Sequence, residues 1–210
     1  MIIVKSELQQ MQASIVGACD ADASDATTLS TSIEQFKAAL QGKGFEGKYK
    51  DSILKNLEDY QNATNERNKL ASELASKIND ALNILINSMD NDTVDTSDKE
   101  ELQIDLENIK NRINSLEANI ESYNKLYNET KESQYQDKVK WTRQTIWSCK
   151  TMQKGIIDDI KKIERVELAD AEARGKLNGL DDMMSKYKNL TTDIEALKSN
   201  IPSYTPTYNL

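Results

Sequence analysis

Gly42, Gly44 and Gly47 fall within six residues of one another, in a chain of 210 residues that holds only 7 glycines. The hydrophobic pattern on both sides of them is helical for a long way. Glycine tolerates the left-handed backbone that ends a helix and reverses the chain. The stretch Phe36 to Ile53 therefore reads as the tip of a helical hairpin. Gly42 to Gly47 form its turn, and Leu40 and Phe45 close it.

The segment before the turn, Val4 to Gln41, keeps one seam through Leu8, Met11, Ile15, Ala18, Cys19, Ala26, Leu29, Ile33, Phe36 and Leu40. Its middle, Gly17 to Thr28, is rich in Ala, Ser and Asp, and Asp22 falls on the seam. The phase survives, so we expect one long helix with a small-residue waist that lets a partner helix approach closely. After the turn, Lys48 to Met89 repeats the pattern through Ile53, Leu57, Tyr60, Thr64, Ala71, Leu74, Ile78, Ala81, Leu85 and Met89, with Arg67 interrupting. Helices of roughly 40 residues are about 60 Å long. A short glycine turn forces two of them to lie antiparallel.

The polar run Asp90 to Ser97 breaks the pattern. Ser97 with Glu100 has the spacing of a capping box, which predicts a third helix from Asp98. Asp90, Asp92 and Glu101 fit three positions of a calcium loop. Val94 and Asp95 violate the template, so an exposed acidic connector is the better account. The third helix has the seam Leu102, Leu106, Ile109, Ile113, Leu116, Ile120, Tyr123 and Tyr127. The phase then shifts within Thr130 to Gln136, predicting a second hairpin whose turn carries neither Gly nor Pro. A new seam runs Val139, Ile146, Cys149, Met152, Ile156, Ile160, Ile163, Val166, Ala173, Leu177, Leu180, Met184, Tyr187, Ile194 and Leu197. Gly175 and Gly179 each cost about 1 kcal/mol inside a helix, so a break is expected there. A final helix then reaches about Asn200.

The expected fold is all-α: an elongated helical bundle of long antiparallel hairpins. The helical domain is assigned to 1–200, with one hairpin over 4–89 and a second over 98–200. Pro202 and Pro206, the chain's 2 prolines, mark 201–210 as a Pro-containing linker.

Charge and composition narrow the function. A net charge of -8 argues against nucleic acid and anionic lipid as partners. The absence of histidine removes the commonest general base and metal ligand. Cys19 and Cys149 read as structural thiols, and two thiols do not make a zinc site. The adjacent carboxylates Glu100–Glu101, Asp158–Asp159 and Asp181–Asp182 point about 100° apart on a helix and do not converge. No phosphate loop or nucleophile elbow is present. We expect no enzyme, no cofactor and no metal. Met1 to Val4 is too short for a leader core, and no apolar run spans a bilayer, so stable membrane insertion is not expected. Trp141 and Trp147 lie on different faces of one helix. One is expected to pack in the seam and the other to stay exposed as a partner-binding candidate.

The long amphipathic helix from near Met1, then Leu40-Gln41-Gly42, then Gly47-Lys48-Tyr49-Lys50-Asp51-Ser52 opening a second long helix, resembles the LXG domain. This is the N-terminal region of polymorphic toxins exported by the type VII secretion system of Gram-positive bacteria. Its layout is similar to that of the smaller WXG100 proteins, which are single helical hairpins. The resemblance covers most of the chain in length and layout and places Leu40 and Gly42 on the namesake positions. It implies a WXG100-like N-terminal hairpin and a non-catalytic export domain. That domain would bind small WXG100-like helical targeting proteins, engage the secretion machinery and deliver a C-terminal toxin. It also implies a cytoplasmic protein that is secreted without a cleaved signal peptide. No Tyr-x-x-x-Asp/Glu export signal follows Tyr49, Tyr60, Tyr123, Tyr127 or Tyr187, so the partner would carry it. The alternatives are a helical pore-forming protein and a coiled-coil stalk. The first would use Ala81 to Met89, which Asn83 and Asn87 interrupt. The second would self-associate without needing the glycine turn.

Overall fold

The computed structural model describes residues 2–42 and 47–200. They form β1 (Ile2–Val4), α1 (Lys5–Gly42), α2 (Lys48–Ser88), β2 (Thr93–Asp95), a single 3-10 turn at Thr96–Asp98, α3 (Lys99–Thr130), α4 (Ser133–Lys176) and α5 (Leu180–Asn200). The protein is an all-α helical bundle with almost no strand. It divides into two compact units. One combines the chain up to Ser6 with Leu85–Ala171, and the other combines Glu7–Ile84 with the chain from Glu172 on.

In the unit that begins at Glu7, α1 and α2 are antiparallel. Gln12 Nε2 donates to Asn79 Oδ1 at 2.6 Å and Asn83 Oδ1 at 2.8 Å, while near the other end Gln61 Nε2 donates to Ser30 Oγ at 3.0 Å. The expected α2 seam is covered along its length. Leu57, Thr64, Leu74 and Ala81 are buried, and Ile53, Tyr60, Ala71 and Ile78 are half-buried. Arg67 is half-buried within that seam, and its Nε has no hydrogen-bond partner among the described residues. The third helix, α5, contributes buried Ile194 and the hydroxyl of Tyr187, which donates to Asp22 Oδ2 at 3.5 Å.

The α1 seam departs from expectation. Ile33 is its one buried side chain among the described residues, whereas Met11, Ala18 and Phe36 are exposed. Within the small-residue waist Cys19, Asp22 and Ala26 are half-buried, and a Cβ on Gly17, which lies off the seam, would meet nothing within 4 Å. Periodicity locates the apolar stripe of a helix but not the width of the neighbour that covers it.

In the unit that contains α3, that helix pairs antiparallel with α4. Buried Ile113, Ile146 and Cys149 form a cluster flanked by Ile109, Leu116 and Ile120. Lys99 bonds Glu167 at 2.6 Å near one end, and Lys138 lies 5.5 Å from the Tyr123 ring centre near the other. The turn between them has neither Gly nor Pro. Lys131 takes the left-handed conformation, φ 58°, and its N–H donates to Tyr127 O at 2.8 Å. Met152, expected in the α4 seam, is exposed, and half-buried Gln153 stands at the inward position instead. Met184 of α5 is likewise exposed while Met183 turns inward. The chain breaks at Leu177 to Gly179, where Gly179 has φ 78°, before α5 begins.

Asp90 to Ser97 is largely exposed, as expected of a connector, with Val94, Asp95 and Thr96 half-buried, but it is more ordered than a plain linker. Thr93–Asp95 pairs antiparallel with Ile2–Val4, matching Ile3 to Val94. The carboxylates there are engaged: Asp90 with Arg165 at 2.9 Å, Asp92 with the first turn of α1, and Asp95 with Ser97. The Ser97–Glu100 capping box does not form. Asp95 caps the 3-10 turn through the Ser97 N–H, and Asp98, at the start of α3, makes no side-chain cap.

Candidate functional site

The hairpin tip and the outer face of α4 are the places where sequence alone puts functional residues. At the tip, Leu40 is half-buried near the end of α1, and Gly42 is that helix's last residue. Gly47 stands just before α2 with φ 113°, a backbone region that side-chain-bearing residues rarely adopt. Its carbonyl accepts from the Asp51 N–H at 3.4 Å, opening the first turn of α2. Phe45, and the contact with Leu40 expected of it, lie outside the described residues.

On α4, neither tryptophan packs in the seam. Trp141 and Trp147 are each 71% exposed. The inward positions are filled by Val139, Ile146 and Cys149, and a helix leaves no room for the intervening tryptophans on the same face. The carbonyls of Trp141 and Trp147 accept from the hydroxyls of Thr145 and Thr151, and both residues lie well inside α4. Their exposure is a property of the helix face and not of a frayed end. Beside them, Asn124 and Tyr127 of α3 and Gln136, Val139, Lys140 and Arg143 of α4 line a surface cleft. Lys150, one turn beyond Trp147, contacts Glu117 of α3 at 3.2 Å. Both partners are more than half exposed, so the pair adds little to stability.

A second cleft lies between α2 and α5. Glu66, Lys69, Leu70 and Glu73 face Lys186, Asn189, Leu190 and Asp193 there. Its charges are of both signs. Cys149 belongs to the α3–α4 core, and Cys19 is half-buried on α1; both thiols are free. Burial, followed by the nearby carboxylates of Asp22 and Asp20, pushes the Cys19 thiol up, which holds it in its unreactive protonated form. Among the described residues no cluster of three Cys, Asp or Glu could hold a metal ion, and no helix is long and apolar enough to cross a membrane.

No protein-family model, no curated protein and no solved structure matches the chain.

Proposed function

We propose that this chain is a targeting and interaction domain of the LXG type. It carries out no chemistry itself. It binds small WXG100-like helical proteins along its helix faces and directs a toxin attached beyond its C-terminal linker to the type VII secretion system. It is made in the cytoplasm and leaves without a cleaved signal peptide.

The observation that carries this reading is the incomplete cover of α1. That helix runs 38 residues with an apolar stripe on which Ile33 is buried and Leu8, Ile15, Leu29 and Leu40 are half-buried, while Met11 and Phe36 of the same stripe are exposed. A further amphipathic helix laid along the stripe would cover it in the helix-in-groove manner. The resemblance at Leu40-Gln41-Gly42 supplies the class of partner, and Trp141 and Trp147 supply a further contact surface.

The test is an affinity pull-down of the tagged chain from its source cells, followed by mass spectrometry. Small helical proteins should be recovered in fixed stoichiometry, and Phe36→Asp with Met11→Asp should lower their recovery. Recovery of the chain alone, monomeric and unchanged by those substitutions, would overturn the reading.

A further inference from the structure

We propose that the outer face of α4 around Trp147 docks an acidic amphipathic helix of a partner protein. The inference depends on the interaction-domain reading for the existence of a partner and goes beyond it in fixing the partner's chemistry and place.

Residues 138–157 hold five of the chain's 27 Lys and Arg residues and none of its 35 Asp and Glu residues. This run lies within a protein of net charge -8, so it is a local reversal of sign. The cations are arranged around the exposed indole. Arg143 stands four residues before Trp147 and Lys150 three after, the spacings at which helix side chains are neighbours. Lys140 and Lys154 stand seven residues to either side, about 10.5 Å along the axis. All of these residues are exposed. Lys140 and Arg143 line a cleft with Asn124 and Tyr127 that offers a carboxylate a seat, and Arg143 stands one helical turn before Trp147.

The arrangement selects the occupant. Lys140, Trp147 and Lys154 form one column with a seven-residue repeat, and a second helix with an apolar residue flanked by acids seven residues to either side matches it. Tryptophan and arginine are the side chains that most often dominate protein interfaces. A lipid surface fits less well. An interfacial helix needs a continuous apolar face, whereas Trp147 is surrounded by Gln144, Ser148, Thr151 and charged neighbours. Glu117 already contacts Lys150 across α3, an exposed pair that a partner's carboxylate can exchange with at little cost.

The experiment places a photo-crosslinking amino acid at Ser148 of the full chain, in its source cells, and sequences the crosslinked peptides. Crosslinks should fall on a helical segment rich in Asp and Glu. Arg143→Glu with Lys150→Glu should reduce them at least tenfold, while Arg143→Lys with Lys150→Arg should preserve them. Circular dichroism of both variants should match the parent; if the reversed pair does not fold, Arg143→Gln with Lys150→Gln takes its place. No crosslink, or crosslinks to phospholipid, to a second copy of this chain or to a segment without acids, would overturn the proposal. Helical partners recovered in the pull-down without such crosslinks would sink this inference and leave the interaction reading standing. Crosslinks to an acidic helix of a protein unrelated to secretion would uphold this inference and the interaction role and would sink the secretion assignment.

Discussion

The backbone N–H of Ser6 donates to Oδ1 of Asp92 at 3.0 Å, and the Ser6 hydroxyl reaches Oδ2 at 3.3 Å, across 86 residues of sequence. The first N–H groups of a helix have no partner within it, and a carboxylate there also meets the positive end of the helix dipole. Asp92 thus caps α1 from a distant part of the chain, while its own carbonyl accepts from Lys5 N at 2.6 Å. Asp92→Ala should destabilise the protein by about 1 kcal/mol, the usual loss for a helix cap, and Asp92→Asn by less. Urea denaturation with unchanged slope measures both. Equal stability of Asp92→Ala and the parent would mean that the cap is not made in solution.

Asp95 gives a pH dependence with a defined sign. Hydrogen bonds from the Ser97 hydroxyl and then the Ser97 N–H hold its carboxyl below the ordinary value of 3.8. A folded value below the unfolded one adds stability that is fully present above the ordinary value. That stability is lost as pH falls through the depressed one. Asp95→Asn should therefore be less stable than the parent at neutral pH, and the gap should close in acid. A gap in urea midpoint that is the same at pH 7 and in strong acid would exclude this role.

Glycine substitutions should have opposite signs at two positions. Gly17 lies inside α1 with open space where a Cβ would go, so Gly17→Ala should stabilise by about 0.5–1 kcal/mol. Gly47 also has open space, but its φ is 113°. Gly47→Ala should therefore destabilise by about 1–3 kcal/mol through backbone strain alone. Thermal melts of the two variants should move in opposite directions.

Lys131 holds a left-handed turn that glycine would fill without strain. Lys131→Gly should stabilise by up to about 1 kcal/mol relative to the parent, raising the melting temperature by a few degrees. The contact of its ammonium with the Tyr127 ring, 5.7 Å to the centre, is exposed and offsets only part of this. A lower melting temperature would show that the side chain contributes more than the backbone strain costs.

The long helices were legible because each carries many turns of one period. Every seam residue expected on α3 is buried or half-buried, and the same holds for α2. Errors arose where an apolar residue sits one step off the inward position. Met152 is exposed while polar Gln153 turns in, and a search for apolar residues selects the wrong one of the pair. The strands were missed for another reason. Ile2–Val4 and Thr93–Asp95 are β-branched, but three residues carry no periodicity, and their pairing joins distant parts of the chain. The Asp92 cap was hidden for the same reason, since local capping rules look only a few residues away. At the candidate site the sequence selected Trp141 and Trp147 but expected one to be inward. That expectation rested on the two lying on different faces of the helix, and the inward positions are filled instead by Ile146 and Cys149.

Trp141 and Trp147 are the chain's 2 tryptophans, so fluorescence excited selectively at tryptophan reports on the exposed side of α4 alone. Both are 71% exposed, which predicts emission close to that of a hydrated indole. The cations around Trp147 should concentrate an anionic quencher and repel a cationic one, an effect that salt screens over about 10 Å at 0.1 M. Iodide should therefore quench more strongly than caesium at low ionic strength, and the difference should shrink as inert salt is added. Arg143→Glu with Lys150→Glu should reverse the preference, whereas Trp147→Phe should leave the residual Trp141 signal nearly indifferent to quencher charge, because Asp137 and Lys138 stand four and three residues before it. Equal quenching by the two ions in the parent protein would mean that the positive potential drawn from the sequence around Trp147 is cancelled by the acids of α3.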